Sequence, residues 1–68
     1  MARKNGDSNN DDVIIEFRQV GNAVKVSAMD PRTLTEVSIV GPLTATKDTL
    51  TRNVLRKLEY VLAKRRKR

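Results

Sequence analysis

Residues 13–28, VIIEFRQVGNAVKVSA, contain two segments of alternating apolar and polar residues on either side of a Gly-Asn pair. Alternation with a period of two indicates half-buried β-strands, and Gly-Asn at the centre of a turn favours a tight hairpin with positive φ. Pairing Val20 with Ala23 places Phe17 opposite Val26, so the apolar sets of both strands share one face. The stretch therefore predicts an antiparallel hairpin.

A third strand is predicted after this hairpin. Residues 30–33 (Asp-Pro-Arg-Thr) have the composition of a turn, because Asp can bond the backbone two residues on and Pro fixes φ. Alternation resumes over residues 35–40, with Val37 and Ile39 on the core side. The Gly-Pro pair at 41–42 is expected to end the strand.

The remaining C-terminal segment has the pattern of one amphipathic helix. Thr46 is a predicted N-cap, and Asp48 lies in the first turn, where the helix dipole favours negative charge. The apolar residues that follow at spacings of three and four are Leu50, Val54, Leu55, Leu58, Val61 and Leu62. Because sheet and helix each have one apolar face, they should pack together. The predicted fold is α+β: a three-stranded antiparallel β-meander packed on one C-terminal α-helix (βββα) in two layers.

Composition divides the chain into three regions. Residues 1–12 are polar and predict a disordered N-terminal arm, residues 13–63 form the βββα domain, and residues 64–68 (KRRKR) form a basic C-terminal tail. This tail contributes five positive charges to a net charge of +6. The chain contains no Cys and no His, which excludes disulfides and the usual zinc ligands. Stability must therefore come from packing or from a second copy of the chain.

Catalytic residue types are few and poorly placed. Glu16 and Glu36 fall on the two outer strands, separated by the central one, and are more simply interpreted as solvated side chains. Ser27 and Ser38 have no neighbouring base except Lys25. The isolated glycines do not form a phosphate-binding loop. We therefore expect no enzymatic activity, no cofactor and no small-molecule substrate.

The outer face of the predicted helix is basic. A rotation of about 100° per residue places Tyr60 on the side away from the apolar stripe, together with the cations Arg52, Arg56, Lys57, Lys64 and Lys67. An exposed Tyr can stack on a base while Lys and Arg contact phosphates, which predicts weakly sequence-specific binding of RNA or DNA. The predicted nucleic-acid-binding residues are Arg52, Arg56, Lys57, Tyr60, Lys64, Arg65, Arg66, Lys67 and Arg68. The alternative is a solvated face whose cations complement the C-terminal end of the helix dipole.

The outer face of the predicted sheet supports a second hypothesis, a protein-interaction or homodimeric module that uses a sheet edge or this face. Ile14 faces Met29 across the strands, and Val40 lies on the third strand, so the three could form a patch covered by a partner. Single exposed aliphatic side chains are also ordinary on protein surfaces. A third hypothesis, association of the basic tail with anionic membranes, is weaker because the apolar stripe of the helix is needed for folding.

One pair on this face is unfavourable. The predicted register places Arg18 opposite Lys25, and like charges directly across two strands are destabilising. Either Glu16 or an external anion is needed to compensate the pair.

The segment EFRQVGNAVKVSAMDPRTLTEVSIVGP (residues 16–42), followed by RKLEYVLAK (residues 56–64), resembles a family of very short alphaproteobacterial proteins carried as a domain of unknown function. The resemblance covers residues 13–64 and implies a bacterial, cytoplasmic source, but it implies no catalytic or binding residues. The family usually has Gly where this chain has Leu34, which predicts a longer or differently shaped second turn. A cytoplasmic location also fits the polar N-terminus, which has no secretory h-region, and the lack of a membrane-spanning apolar stretch.

Overall fold

The predicted βββα architecture is confirmed by a computed structural model, which describes residues 12–66. An antiparallel sheet with strand order β1-β2-β3 is followed by one helix. The element bounds are β1 Ile14–Val20, β2 Ala23–Asp30, β3 Thr35–Pro42 and α1 Lys47–Arg66. Residues 1–11 of the predicted N-terminal arm and residues 67–68 of the predicted tail lie outside the described residues.

The register between β1 and β2 is the predicted one. Val20 pairs with Ala23, and Phe17 pairs with Val26. Gly21 has a φ of +60°, as expected for glycine at the first central position of a tight hairpin turn. The turn is reinforced by Gln19, whose Nε2 donates a hydrogen bond to the Gly21 carbonyl oxygen at 3.2 Å.

The turn between β2 and β3 is held by Asp30 at both its side chain and its backbone. Its Oδ1 accepts a hydrogen bond from the Arg32 N–H at 3.0 Å, and its carbonyl oxygen accepts one from the Leu34 N–H at 2.7 Å. Leu34 has a φ of +60°, the left-handed conformation that favours glycine. The prediction of a differently shaped loop was therefore wrong, because the bonds from Asp30 impose the left-handed conformation on a leucine.

Strand β3 continues beyond its predicted end. Gly41 pairs with Val24, and Pro42 pairs with Ala23, so the Gly-Pro pair belongs to the ladder. The proline is tolerated because it is the last residue of an edge strand. A Cβ on Gly41 would lie only 2.6 Å from Cδ2 of Leu50, so the glycine allows α1 to approach the sheet closely.

Helix α1 begins at the predicted cap and supplies half of the core. Thr46 Oγ1 accepts a hydrogen bond from the Thr49 N–H at 3.1 Å, and Asp48 lies in the first turn. The helix lies across β2 and β3, and its contacts with β1 are sparse. The buried apolar residues, three from the sheet and three from the helix, are Val26, Ala28, Val37, Leu50, Val54 and Leu58.

Phe17 lies at the margin of this core. Its ring is half-buried, and the ammonium of Lys47 lies 5.4 Å from the ring centroid. Ile15 on the same strand is also half-buried against the core. Both positions follow from the placement of α1 over β2 and β3, which leaves the inner face of β1 only partly covered.

Candidate nucleic-acid interface

The outer face of α1 presents the predicted aromatic side chain to solvent. Because Leu50, Val54 and Leu58 face the sheet, the side chains about half a turn away point outward. Tyr60 is 62% exposed, as predicted, and Arg56 one turn before it is also exposed. This face therefore offers an aromatic ring and a guanidinium group on one rigid helix.

Tyr60 has a cation beside its ring. The ammonium of Lys64, one turn later in α1, lies 5.5 Å from the centroid of the Tyr60 ring, within the range of a cation–π contact. The contact places the Lys64 charge over one face of the ring. A nucleotide that stacked on this ring would have a positive charge next to its phosphate.

Arg52 is exposed and close to a carboxylate. Its Nη1 lies 3.6 Å from Oδ2 of Asp48, four residues earlier in the helix. Both side chains are well exposed, and exposed helix pairs of this kind contribute only about 0.3–0.5 kcal/mol. A phosphate could therefore compete for Arg52 at little cost.

Two of the predicted residues are directed at strand β3 rather than at the outer face of the helix. Lys57 Nζ donates a hydrogen bond to the Ser38 carbonyl oxygen at 3.0 Å, and Arg65 Nη1 donates one to Thr35 Oγ1 at 2.8 Å. The prediction that Lys57 points away from the sheet was wrong, since its position beside the apolar stripe lets the long side chain reach the edge strand. Lys57 and Arg65 thus contact the sheet, and the outward-facing set is smaller than predicted.

The predicted tail begins inside the helix. Lys64, Arg65 and Arg66 are the last three residues of α1. Lys67 and Arg68 lie outside the described residues. At least three of the five basic residues of the tail are therefore held in helical geometry.

A cleft that the sequence did not predict lies between the end of α1 and the β2–β3 turn. It has a volume of about 240 Å³ and holds two buried polar residues, Asp30 and Thr35, which are 5% and 4% exposed. Thr33 Oγ1 donates a hydrogen bond to Thr35 Oγ1 at 2.9 Å. The residues lining the cleft are Asp30, Arg32, Thr33, Thr35, Leu62 and Arg65.

The sequence did contain a signal for this cleft. Asp30 continues the inward-facing alternation of Val26 and Ala28 along β2, and Arg65 lies seven residues after Leu58 and so on the same side of the helix. Because residues 64–68 were predicted to form a tail, the position of Arg65 on the same side of the helix as Leu58 was missed. Arg32 and Arg65 both line the cleft, and Nε of the exposed Arg32 lies 4.0 Å from Oδ1 of Asp30.

On the outer sheet face, the predicted apolar patch is not contiguous. Ile14 pairs with Met29 as predicted, but Met29 pairs with Glu36 on β3, while Val40 pairs with Lys25. Val40 therefore lies two outward-facing positions away from Ile14 and Met29. The prediction of a patch formed by Ile14, Met29 and Val40 was wrong, because the position of Val40 depends on the register of β3.

Residues 12–66 contain neither a candidate metal site nor a candidate membrane span. No cluster of three or more acidic side chains that could hold a metal ion occurs there. The helix of this described part is not long and apolar enough to cross a membrane.

Fold and surface together define a class of protein: a small two-layer α+β domain whose single helix presents basic and aromatic side chains on its outer face. The family model of the domain of unknown function DUF6898 matches residues 10–65, which is most of the chain. The chain belongs to this family, and the resemblance to a domain of unknown function is confirmed. Its alphaproteobacterial range stays a prediction.

The other comparisons provide no functional relative. Neither the curated proteins nor the solved structures include a significant match to the chain.

Proposed function

We propose that this protein is a cytoplasmic, non-enzymatic binding module that contacts RNA or DNA through the outer face of α1. The observation that carries the proposal is the exposed Tyr60 ring with the Lys64 ammonium 5.5 Å from its centroid. The chain has a single Tyr, and its ring faces solvent near cations instead of packing in the core. Tyr60 would stack on a base, and Arg56 and Lys64 would contact phosphates.

The contacts around this face support a division of roles among the basic residues. Arg56 and Lys64 are exposed, and the pair between Arg52 and Asp48 is weak enough to exchange for a phosphate. Lys57 and Arg65 already donate hydrogen bonds to β3, so they would contribute mainly through their long-range positive potential. Residues 66–68 would add to the same potential.

Sequence preference should be weak. The proposed contacts are stacking and phosphate neutralisation, and neither reads the hydrogen-bonding edge of a base. The sheet is a poor second surface for phosphates, because its outer face carries Glu16 and Glu36 as well as Arg18 and Lys25. Single strands are the better ligand, since a ring on a helix can reach an unpaired base.

The test is a titration of the full chain with single-stranded RNA and duplex DNA at several salt concentrations. Replacement Tyr60→Ala should weaken binding of the single strand by about 1–3 kcal/mol without changing the salt dependence. Replacement Lys64→Ala should instead remove about one phosphate contact. The slope of log affinity against log salt concentration would then fall by about one. The two variants thus separate stacking from charge.

Two matched variants serve as controls. Tyr60→Phe keeps the ring and should bind like the parent chain, and Lys25→Ala removes a cation from the opposite layer and should lose less than Lys64→Ala. No binding of either nucleic acid at low salt, measured by amide chemical shifts, would refute the proposal. An equal loss for Lys25→Ala and Lys64→Ala would show that the helix face is not the site.

A further inference from the structure

The two edges of the sheet differ in how they are covered. On β3, α1 packs over the strand, Lys57 bonds the Ser38 carbonyl oxygen, and Pro42 ends the strand. Strand β1 has seven residues, IIEFRQV, with no proline and only sparse contact with α1. Proteins normally cover or interrupt such an edge, because its unpaired N–H and C=O groups can pair with another strand. The edge of β1 is therefore the open one among the described strands.

The side chains of β1 are arranged symmetrically about its centre. Phe17 is the middle residue, with Glu16 before it and Arg18 after it, and Ile14 and Val20 lie at the two ends. An antiparallel copy of the strand centred on Phe17 would therefore place each Glu16 opposite an Arg18. It would also place each Ile14 opposite a Val20.

We propose that two copies of this chain form a homodimer by pairing their β1 strands antiparallel, centred on Phe17. The inference goes beyond the proposed nucleic-acid binding and does not depend on it. Two three-stranded sheets would join into one continuous six-stranded sheet with a twofold axis perpendicular to it at Phe17.

Charge selects this register over its neighbours. The inner faces of both copies stay on one side only when the twofold axis passes through a residue and not between two residues. Among the central residues, the axis can therefore fall on Glu16, Phe17 or Arg18. An axis at Glu16 or Arg18 places two like charges directly opposite each other. An axis at Phe17 forms two Glu–Arg pairs instead.

The same register compensates an unfavourable feature within each copy. Arg18 lies opposite Lys25 in the sheet, and no carboxylate within 4.0 Å of Arg18 is present among the described residues. In the dimer, Glu16 of the second copy would lie beside Arg18 on its other side. A second chain would thus supply the negative charge that offsets the repulsion between Arg18 and Lys25.

Exposed apolar surface also favours the dimer. Ile14 and Val20 are 54% and 57% exposed, and the inward-facing Phe17 and Ile15 are only half-buried. Pairing two β1 strands would cover all four at once, with the two Phe17 rings adjacent at the axis. Only six apolar residues are buried among those the structure describes, and a second copy is an effective way to enlarge such a core.

The twofold axis places both helices on the same side of the joined sheet. Each helix lies over β2 and β3 of its own copy, so the inner face of the two β1 strands would form the floor of a groove between them. Phe17 and Lys47 of each copy would line this groove. The two basic helix faces would be held in a fixed relation to each other.

The test uses charge reversal at the paired positions, with mass measured by sedimentation equilibrium over a range of concentrations. The parent chain should show a concentration-dependent monomer–dimer equilibrium. The variants Glu16→Arg and Arg18→Glu should each dimerise at least about tenfold more weakly, because both symmetry-related pairs become repulsive. Mixing the two variants in equal amounts should restore dimerisation as a heterodimer with two attractive pairs.

The double variant Glu16→Arg/Arg18→Glu should also recover the dimer, since exchanging both charges preserves the complementarity. Circular dichroism separates loss of dimer from loss of fold, and Arg18→Glu should remain folded because it turns the contact with Lys25 favourable. A concentration-independent monomer mass for the parent chain would overturn the proposal. Equal dimerisation of the parent and both single variants would also overturn it, by placing any interface elsewhere.

Discussion

Leu34 adopts the least favourable backbone conformation for its residue type in the described chain. It is the non-glycine residue with positive φ there, and its side chain is 76% exposed. A left-handed conformation costs a residue with a Cβ about 1–2 kcal/mol. An exposed side chain recovers little of this cost through packing, so the turn is held by the hydrogen bonds of Asp30.

We predict that Leu34→Gly leaves stability unchanged or raises it by up to about 1 kcal/mol. Glycine removes the conformational penalty, and its greater freedom in the unfolded chain offsets part of the gain. Urea denaturation of the two proteins measures the difference. Leu34→Ala is the control and should show no gain, because it keeps the Cβ. A clear loss of stability in the glycine variant would mean that the leucine side chain makes contacts that hold the fold.

At the residue scale, the direction of a side chain was predictable from the sequence where helical periodicity alone sets it. The prediction failed for a long side chain that bends back toward the sheet. Tyr60 is outward because its position in the helix sets the direction of its Cα–Cβ bond, and its rigid ring cannot bend back to the sheet. Lys57 has four methylene groups, so its ammonium can reach Ser38 from the flank of the helix. Arg65 differs, because it lies on the same side of the helix as Leu58 and reaches Thr35 directly. Periodicity places the start of a side chain and leaves its end undetermined.

At the scale of elements, strand pairing was the most predictable property. The hairpin register followed from the Gly-Asn turn and the two apolar alternations, which agree in only one alignment. The end of β3 was not predictable in this way. A Gly-Pro pair is compatible both with the end of a strand and with the last ladder positions of an edge strand. The ladder pairs of Gly41 with Val24 and of Pro42 with Ala23 show that the second arrangement is the one adopted.

We predict that Gly41→Ala destabilises the domain by about 1–3 kcal/mol. The new Cβ would lie 2.6 Å from Cδ2 of Leu50, whose side chain is buried and cannot move aside easily. Thermal or urea denaturation measures the loss. The same substitution in a Leu50→Val background should cost less, since the contacting group is shortened, and a double-mutant cycle gives the coupling. Strictly additive effects would contradict the close approach of helix and strand.

At the scale of the whole molecule, the core is centred on the helix and on β2 rather than spread over the sheet. Leu58, Val26 and Val54 are the largest fully buried side chains. Phe17 is larger than any of them but stands at the edge that α1 does not cover. This placement depends on where the helix crosses the sheet, which strand patterns alone do not determine.

We predict that Leu58→Ala abolishes cooperative unfolding, whereas Phe17→Ala lowers the midpoint but retains a transition. A buried Leu→Ala replacement costs about 2–5 kcal/mol, comparable with the whole stability of a domain of this size. In a single copy, replacing the half-buried Phe17 leaves a cavity open to solvent and should cost less, so the comparison is made at a concentration low enough to favour the monomer. Urea titration followed by circular dichroism compares the two. The reverse order would show that α1 covers β1 instead of β3.

The hydrogen bond from Arg65 to Thr35 affects what happens when the protein meets a ligand. It ties Arg65, in the last turn of α1, to the sheet and so opposes fraying of the helix end. Under the proposed function, the conformational entropy of this side chain is already lost during folding, and a polyanion that docked there would not have to order it again. Affinity at this end of the domain would then come from preorganised charge, in contrast to the fluctuating contacts of a loose basic extension.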